Sequence, residues 1–480
     1  MNPEGRGSGS RDSGAGRATL VSRALYCAGH VSTAMKLILF GLYTLQLYTT
    51  VMGLPATLVG IASAVGLVWD AVVDPYIGHL SDRFRGGMGR RHSFMLVGSL
   101  TMGIGFLAYL SPPRGLETWE LFAWLLVTSL FVRTAISIYE IPYLALGAEL
   151  TRDYDERTTI TAARGLAALL GTMITAALSF VLFFPEGQAG ADPKLDYQGY
   201  PRMGLSYGAV MTAIGLAATL GTLSWRPFLA RSAEEERAPG SMAGFLEGVA
   251  QSLRAPSFRS LFAASSLFFL AVVINSALSI HFLTHHAGIT ASSALTWFQV
   301  AFYTAGLAGV VFWMRVSRRA EKHRVFITGM VSTAVVMLVS YLLIGEGRPL
   351  GTGNIPAVLA GHALGGFFGS ILWFMPYSMI ADIADEDEAR TGERREGSFF
   401  GMLSLGQQLA TGVSVLIAGI LVDHFAGLVP GQAEQSATTS HRIALLYGVL
   451  PAVITLAACL AAMRYSLVRS QVRAIQAERS

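Results

Sequence analysis

Twelve apolar runs of about 20 residues recur along this chain, and each is long enough to cross a bilayer as an α-helix. They read as 22–48, 54–80, 93–111, 118–147, 160–184, 204–228, 258–283, 293–314, 325–344, 355–383, 398–426 and 444–463. In lipid, backbone polar groups are satisfied only within helices or closed barrels, and barrel strands are about half this length. The runs therefore predict an all-α membrane protein with twelve transmembrane helices. Only 14% of residues are charged, against roughly 25% in a soluble domain.

The net charge of +4 could point to nucleic acid, but its placement points elsewhere. With both termini cytoplasmic, the inside segments hold 27 of the 35 Lys and Arg, the outside loops hold five, and three lie within spans. That asymmetry is the positive-inside signature of a multi-pass protein, here of a bacterial-type inner membrane. No nucleic-acid partner is expected, only membrane lipid and a small solute. Residues 1–21 are Gly-, Ser- and Arg-rich without the apolar core of a signal peptide, and read as a disordered cytoplasmic tail. Cys27 and Cys459 lie in spans near opposite ends of the chain and read as small packing residues.

Six spans (22–228) precede a polar stretch at 229–257, read as a cytoplasmic linker, and six follow it (258–466), with a tail at 467–480. A repeat links the halves. IPYLALGAELTRDYDER from Ile141 is similar to MPYSMIADIADEDEAR from Met375, and the copies close spans four and ten. A shift of six spans keeps orientation, so the halves are parallel repeats. Two six-helix bundles so related are the major facilitator architecture, whose solute site lies between the halves near the midplane and which works by analogy as a single chain.

Asp70 and Asp74 in span two, and Glu140 in span four, are carboxylates at membrane depth, costing roughly 2.5–3.5 kcal/mol each unless something neutralises them. Asp70 and Asp74 are i and i+4 and share one helix face, where a bound Na⁺ or a shared proton would relieve their repulsion. Lys36, Arg133 and Arg164 set three basic groups against these three acids. Either the charges neutralise one another, or the cationic groups are free for an anionic solute once a cation occupies the acids. Arg suits bidentate contact to carboxylate or phosphate, and Lys acts as a point charge.

Three motifs carry a specific resemblance: WDAVVDPYIGHLSDR (Trp69 to Arg83), YEIPYLALGAELTRDYDERT (Tyr139 to Thr158) and ADIADEDEARTGERREG (Ala381 to Gly397). Together they resemble the glycoside–pentoside–hexuronide:cation symporters, to which animal lysolipid carriers are distant relatives. The resemblance implies a cation site from Asp70, Asp74 and Glu140, the last in place of the Asp of sugar-transporting members. Ser137, one turn earlier, suits that site. Val73 stands where an amide would help to hold Na⁺, which favours H⁺. The coupling ion is thus Na⁺ or H⁺, with no other cofactor.

The sugar site implied by the resemblance is altered. The helix I acid falls on Ala34, the helix XI Lys on Gln408, and an aromatic of helix IV on Leu144, while the expected Arg remains as Arg164. Expected solute contacts are Lys36, Arg133, Glu140, Arg164, Trp373 and Gln408. The solute reads as a sugar conjugate, a sugar acid or a lipid-like anion. Asn275, His362, Tyr377 and Gln407 are further polar or aromatic lining on the second half.

The loop GHLSDRFRGGMGRRHS and the acids after span ten suggest gating by Asp82, Arg83, Arg90, Arg91, Asp382 and Asp385, with pairs formed across the bundles that break on opening. RVSRRAEKHR, from Arg315, stands in the matching loop of the second half. His281, His285 and His286 read as a hydrated helix end. The alternatives are a lysophospholipid carrier and a non-transporting sensor or scaffold. H-E-x-x-H does not occur and no nucleophile is clustered with a base, so an enzyme is not expected.

Overall fold

The structure is a computed structural model that describes residues 20–84, 86–149, 154–186, 192–225, 253–392, 396–432 and 434–472. Most of the expected linker and both tails lie outside these residues. Twelve helices are long and apolar enough to span a membrane. They are α1 (Leu20–Val51), α2 (Ala56–Arg83), α3 (Arg90–Tyr109), α4 (Thr118–Gly147), α5 (Thr159–Phe183) and α6 (Gly199–Trp225). In the second half they are α7 (Pro256–His286), α8 (Ser292–Ser317), α9 (Lys322–Leu343), α10 (Ile355–Thr391), α11 (Ser398–Ala426) and α12 (Ala437–Ala462). The tenth runs beyond the expected 383, because its apolar stretch ends in a 3₁₀ turn at Ser370–Trp373 and a polar helix continues to Gly392, whose φ of 74° stops it.

The packing repeats with a shift of six. α1 packs on α5 and α6, and α7 on α11 and α12. Likewise α2 on α4 matches α8 on α10, and α3 on α4 and α6 matches α9 on α10 and α12. The turns repeat too. After α1, Met52 N donates to Leu47 O at 2.9 Å and Leu54 N to Tyr48 O at 2.7 Å. After α7, Ala287 N donates to Phe282 O at 2.9 Å and Ile289 N to Leu283 O at 2.8 Å. Each turn pivots on a left-handed glycine, Gly53 at φ 80° and Gly288 at φ 66°, a conformation glycine adopts without steric cost.

The halves meet through α2 on α11 and α5 on α8. A Cβ on Gly60 would lie 2.8 Å from Leu416 Cα, and one on Gly412 would lie 2.7 Å from Leu67, so small residues permit the close α2–α11 approach. Hydrogen bonds join the halves at the end of the bundle away from the chain termini. Asp423 accepts from Ala56 N (3.0 Å) and Thr57 N (2.6 Å). Glu186 accepts from Ser293 N (3.1 Å) and Oγ (2.5 Å). Lys194, fully buried, donates to Thr290 O at 3.2 Å and to Asp192 at 2.6 Å. His281 Nε2 and Thr50 Oγ1 are 3.3 Å apart.

His281 and His286 are therefore not at a hydrated helix end. They are 1% and 4% exposed. The π-turn closing α7 packs these rings inward, His281 toward Thr50 and His286 toward Ile344 O at 3.1 Å.

Candidate functional site

A cavity of about 630 Å³ lies between the halves, within the range of small-molecule sites, roughly 300–1,000 Å³. On the first half its charged lining comes from α1, α2 and α4, as Lys36, Asp70, Asp74, Arg133 and Glu140, with the hydroxyls of Ser63, Ser137 and, on α5, Thr172. The i, i+4 spacing places Asp70 and Asp74 on one face of α2, as expected. Pro75 follows directly, and with no N–H it leaves the carbonyl of Ala71 without its helical donor at this depth.

Each charged side chain has a different partner. Arg133 Nη1 forms an ion pair with Asp70 Oδ2, and its guanidinium lies 5.0 Å from the centre of the Phe40 ring. Gly66, one turn before Asp70, gives it room: a Cβ there would lie 2.9 Å from Arg133 Cδ and from Cζ. Lys36 Nζ reaches Glu140 Oε2 at 2.5 Å. Ser137 Oγ donates to Asp74 Oδ1 at 2.5 Å and lies 3.0 Å from the carbonyl of Arg133. Beside them, Trp69 Nε1 donates to Thr134 Oγ1 at 2.8 Å, tying α2 to α4.

The cavity thus holds two cations and three carboxylates. Asp70 and Glu140 have basic partners, and Asp74 has a neutral hydroxyl. Glu140, expected beside Asp70 and Asp74 around one ion, has its carboxylate paired with Lys36 in this structure. Among the described residues no three His, Cys, Asp or Glu are placed to hold one metal ion.

Arg164, expected at the solute, does not line the cavity. Its Nη1 donates to Tyr26 OH at 3.3 Å, and the Tyr26 ring stacks on Tyr143 at 4.7 Å. Tyr377 and Gln407 also lie outside the lining and bond each other at 3.0 Å. Trp373, Gln408, Asn275 and His362 do line it, as does Leu144. Sequence reading missed Gln299 and Tyr303 of α8, which face the same space. Their i, i+4 spacing was the available signal, but nothing in the sequence says which face of α8 turns inward.

Two of the residues expected to gate across the bundles have an ion-pair partner within their own half. Asp82 forms an ion pair with Arg91 at 2.5 Å, and Asp382 one with Lys322 at 2.7 Å. Arg91 also donates to Ser81 Oγ at 3.2 Å. Arg83 and Arg90 sit at the facing ends of α2 and α3, and Asp385 one turn before Glu388 on α10.

The family model for the MFS/sugar transport proteins matches residues 25–469. The chain belongs to that family. It is 25% identical to an uncharacterized symporter of Synechocystis over 94% of each chain. It is 24% identical to a putative glycoside/cation symporter of Escherichia coli, over 89% of this chain and 88% of that one. A solved structure, a bacterial homolog of the human lysosomal transporter Spinster in an inward-facing, unoccupied conformation, covers 94% of this chain with a TM-score of 0.65 at 12% identity. That likeness establishes the fold. The protein is a multi-pass transporter of the bacterial inner-membrane type and not an enzyme.

Proposed function

We propose that this protein is a cation-coupled secondary transporter of a sugar-type solute, with Asp74 as the coupling-cation site. One observation carries the reading: of three carboxylates in the cavity, Asp74 alone lacks a basic partner. The remaining negative charge balances one Na⁺ or one H⁺. A carboxylate oxygen and the Ser137 hydroxyl are hard oxygen donors, which suit Na⁺. A proton needs only the carboxylate.

Binding there neutralises the cavity, and the solute then binds a site without excess charge. The halves rock about it, exchanging the closure away from the termini for one at the termini, which we assign to the cytoplasm from the positive-inside bias. We assign Asp82, Arg83, Arg90, Arg91, Asp382 and Asp385 to that second closure. By linkage the solute tightens cation binding by the factor by which the cation tightens the solute. A single chain in membrane lipid suffices, with no nucleic-acid partner.

Support comes from the family and from the relative named a glycoside/cation symporter. The test is uptake of radiolabelled methyl glycosides into proteoliposomes under an inward Na⁺ gradient, an inward H⁺ gradient, or neither. Accumulation driven by one gradient and lost in Asp74→Asn is expected. Uptake that ignores both gradients would refute the coupling.

A further inference from the structure

Hydrogen-bonding capacity is divided unevenly across the cavity. On the first half Lys36, Arg133 and Ser137 bond the carboxylates of Glu140, Asp70 and Asp74, which balances both cations, though the buried Arg133 Nε keeps no partner. On the second half, Asn275 Nδ2 donates to Tyr447 O at 2.8 Å, His362 Nδ1 lies 2.9 Å from Val358 O, and Thr411 donates to Gln407 O at 2.9 Å. Gln299, Tyr303 and Gln408 line the same space, and no hydrogen bond joins their side chains to another described residue.

Two of these three share one face of α8, one helical turn apart. The Tyr303 ring stacks beside Trp373 of α10, with centroids 6.3 Å apart and planes at 23°. Gly306, the next residue along this face, makes the arrangement fit: a Cβ there would lie 2.9 Å from Trp373 Cζ3. The result is an aromatic surface with a phenol at its edge and an amide one turn away.

We propose that Gln299 and Tyr303, beside the Trp373 ring, form the specificity surface for a neutral, hydroxyl-rich solute, with Gln408 contributing from α11. The inference rests on the cavity being the solute site, as proposed above. The chemistry follows from what is uncommitted. Amides and a phenol both donate and accept, matching hydroxyl groups, and aromatic faces pack against C–H-rich ring faces. A sugar acid or lipid phosphate would bring a negative charge that Lys36 and Arg133, each already balanced by a carboxylate, do not call for. A site built to bond hydroxyls also rejects analogues that lack them, because its own polar groups are then left unpaired.

The experiment is thermal stability of the purified full chain in the presence of the coupling cation, against methyl glucosides, methyl galactosides, methyl xylosides, maltose, cellobiose and melibiose. The matched probes are methyl glucuronide, methyl galacturonide and a lysophosphatidyl lipid. At least one neutral sugar is expected to raise the melting temperature, with no response to the acids. Tyr303→Phe and Gln299→Ala are each expected to weaken that sugar roughly 3- to 10-fold, the effect of one neutral hydrogen bond. The cation response of both variants should stay at the wild-type level, which also shows that they fold. Response to the acids or the lipid alone, no response to any neutral sugar, or unchanged affinity in both variants would overturn the inference. A wild type that ignores both Na⁺ and pH would instead overturn the coupling reading, whatever the sugars do.

Discussion

Asp423, in the π-turn that ends α11, accepts the backbone N–H of Thr57 in the first turn of α2 at 2.6 Å, across the interface between the halves. Glu186, just beyond α5, accepts from Ser293 in the first turn of α8 at 3.1 Å. A shift of six relates α5 to α11 and α2 to α8, so one device occurs twice. A carboxylate from one half caps the free N–H groups, and meets the positive end, of a helix in the other. These paired caps latch the end of the protein away from its termini.

Removing a cap should loosen that end. Asp423→Ala is expected to weaken closure by about 1 kcal/mol, typical of a lost helix cap, and so to shift the open population roughly fivefold. Pulsed electron resonance between spin labels at Arg202→Cys and Gln432→Cys, both exposed, reads the shift as a longer-distance component. Cys27 and Cys459 must be replaced first. An unchanged distance distribution would show that the cap does not hold the end shut.

The latch should also respond to acid. Hydrogen bonds from the Ser293 hydroxyl, and next from its backbone N–H, hold the Glu186 carboxyl below its usual range. A carboxyl depressed in the closed state favours closure at pH above its ordinary value of about 4.3, and that contribution fades as pH falls through the depressed value. The same spin-label pair should therefore show more opening between pH 5 and the depressed value, and Glu186→Gln should flatten that part of the profile. Opening that grows with rising pH would contradict the assignment.

Arg133 and Asp70 should behave as a unit. Arg133→Gln leaves Asp70 without its counter-charge. The expected cost is about 1–3 kcal/mol, below the 3–5 typical of a fully buried pair because each side chain keeps about a fifth of its exposure (18% and 22%). Adding Asp70→Asn to Arg133→Gln should recover most of it. Denaturation of the double variant at the level of the worse single variant would contradict the pairing.

Gly66→Ala tests the same pair from the backbone side. Its methyl group would occupy the space of the Arg133 guanidinium, so the variant should lose stability much as Arg133→Gln does. Little further loss should follow when the two changes are combined, since coupled sites are not additive. Full additivity would show that Gly66 and Arg133 act independently.

Much of the fold was legible because the bilayer imposes length and hydropathy on every span, and because the repeat around Pro142 and Pro376 survives in sequence. The i, i+4 spacing placed Asp70 and Asp74 on one face. The pairing of charges was not legible. Arg133 and Glu140 share a face by spacing, yet Arg133 turns to Asp70 and Glu140 to Lys36, 104 residues away. Helix rotation and the space left at Gly66 decide this, and neither is a local property. Arg164 was placed at the solute by resemblance, and the Tyr26 hydroxyl draws it elsewhere.

The central claim is that Asp74 takes the coupling cation while Asp70 and Glu140 serve ion pairs. The most direct measurement is the melting temperature of the detergent-purified protein across Na⁺, Li⁺ and K⁺ and a pH series, beside Asp74→Asn and the double variant Asp70→Asn with Arg133→Gln. A ligand that binds only the folded state raises the melting temperature by mass action. Stabilisation by Na⁺ but not K⁺, or by protons alone, should persist in the double variant and vanish in Asp74→Asn. A cation response that survives in Asp74→Asn, or vanishes only in the double variant, would contradict the account.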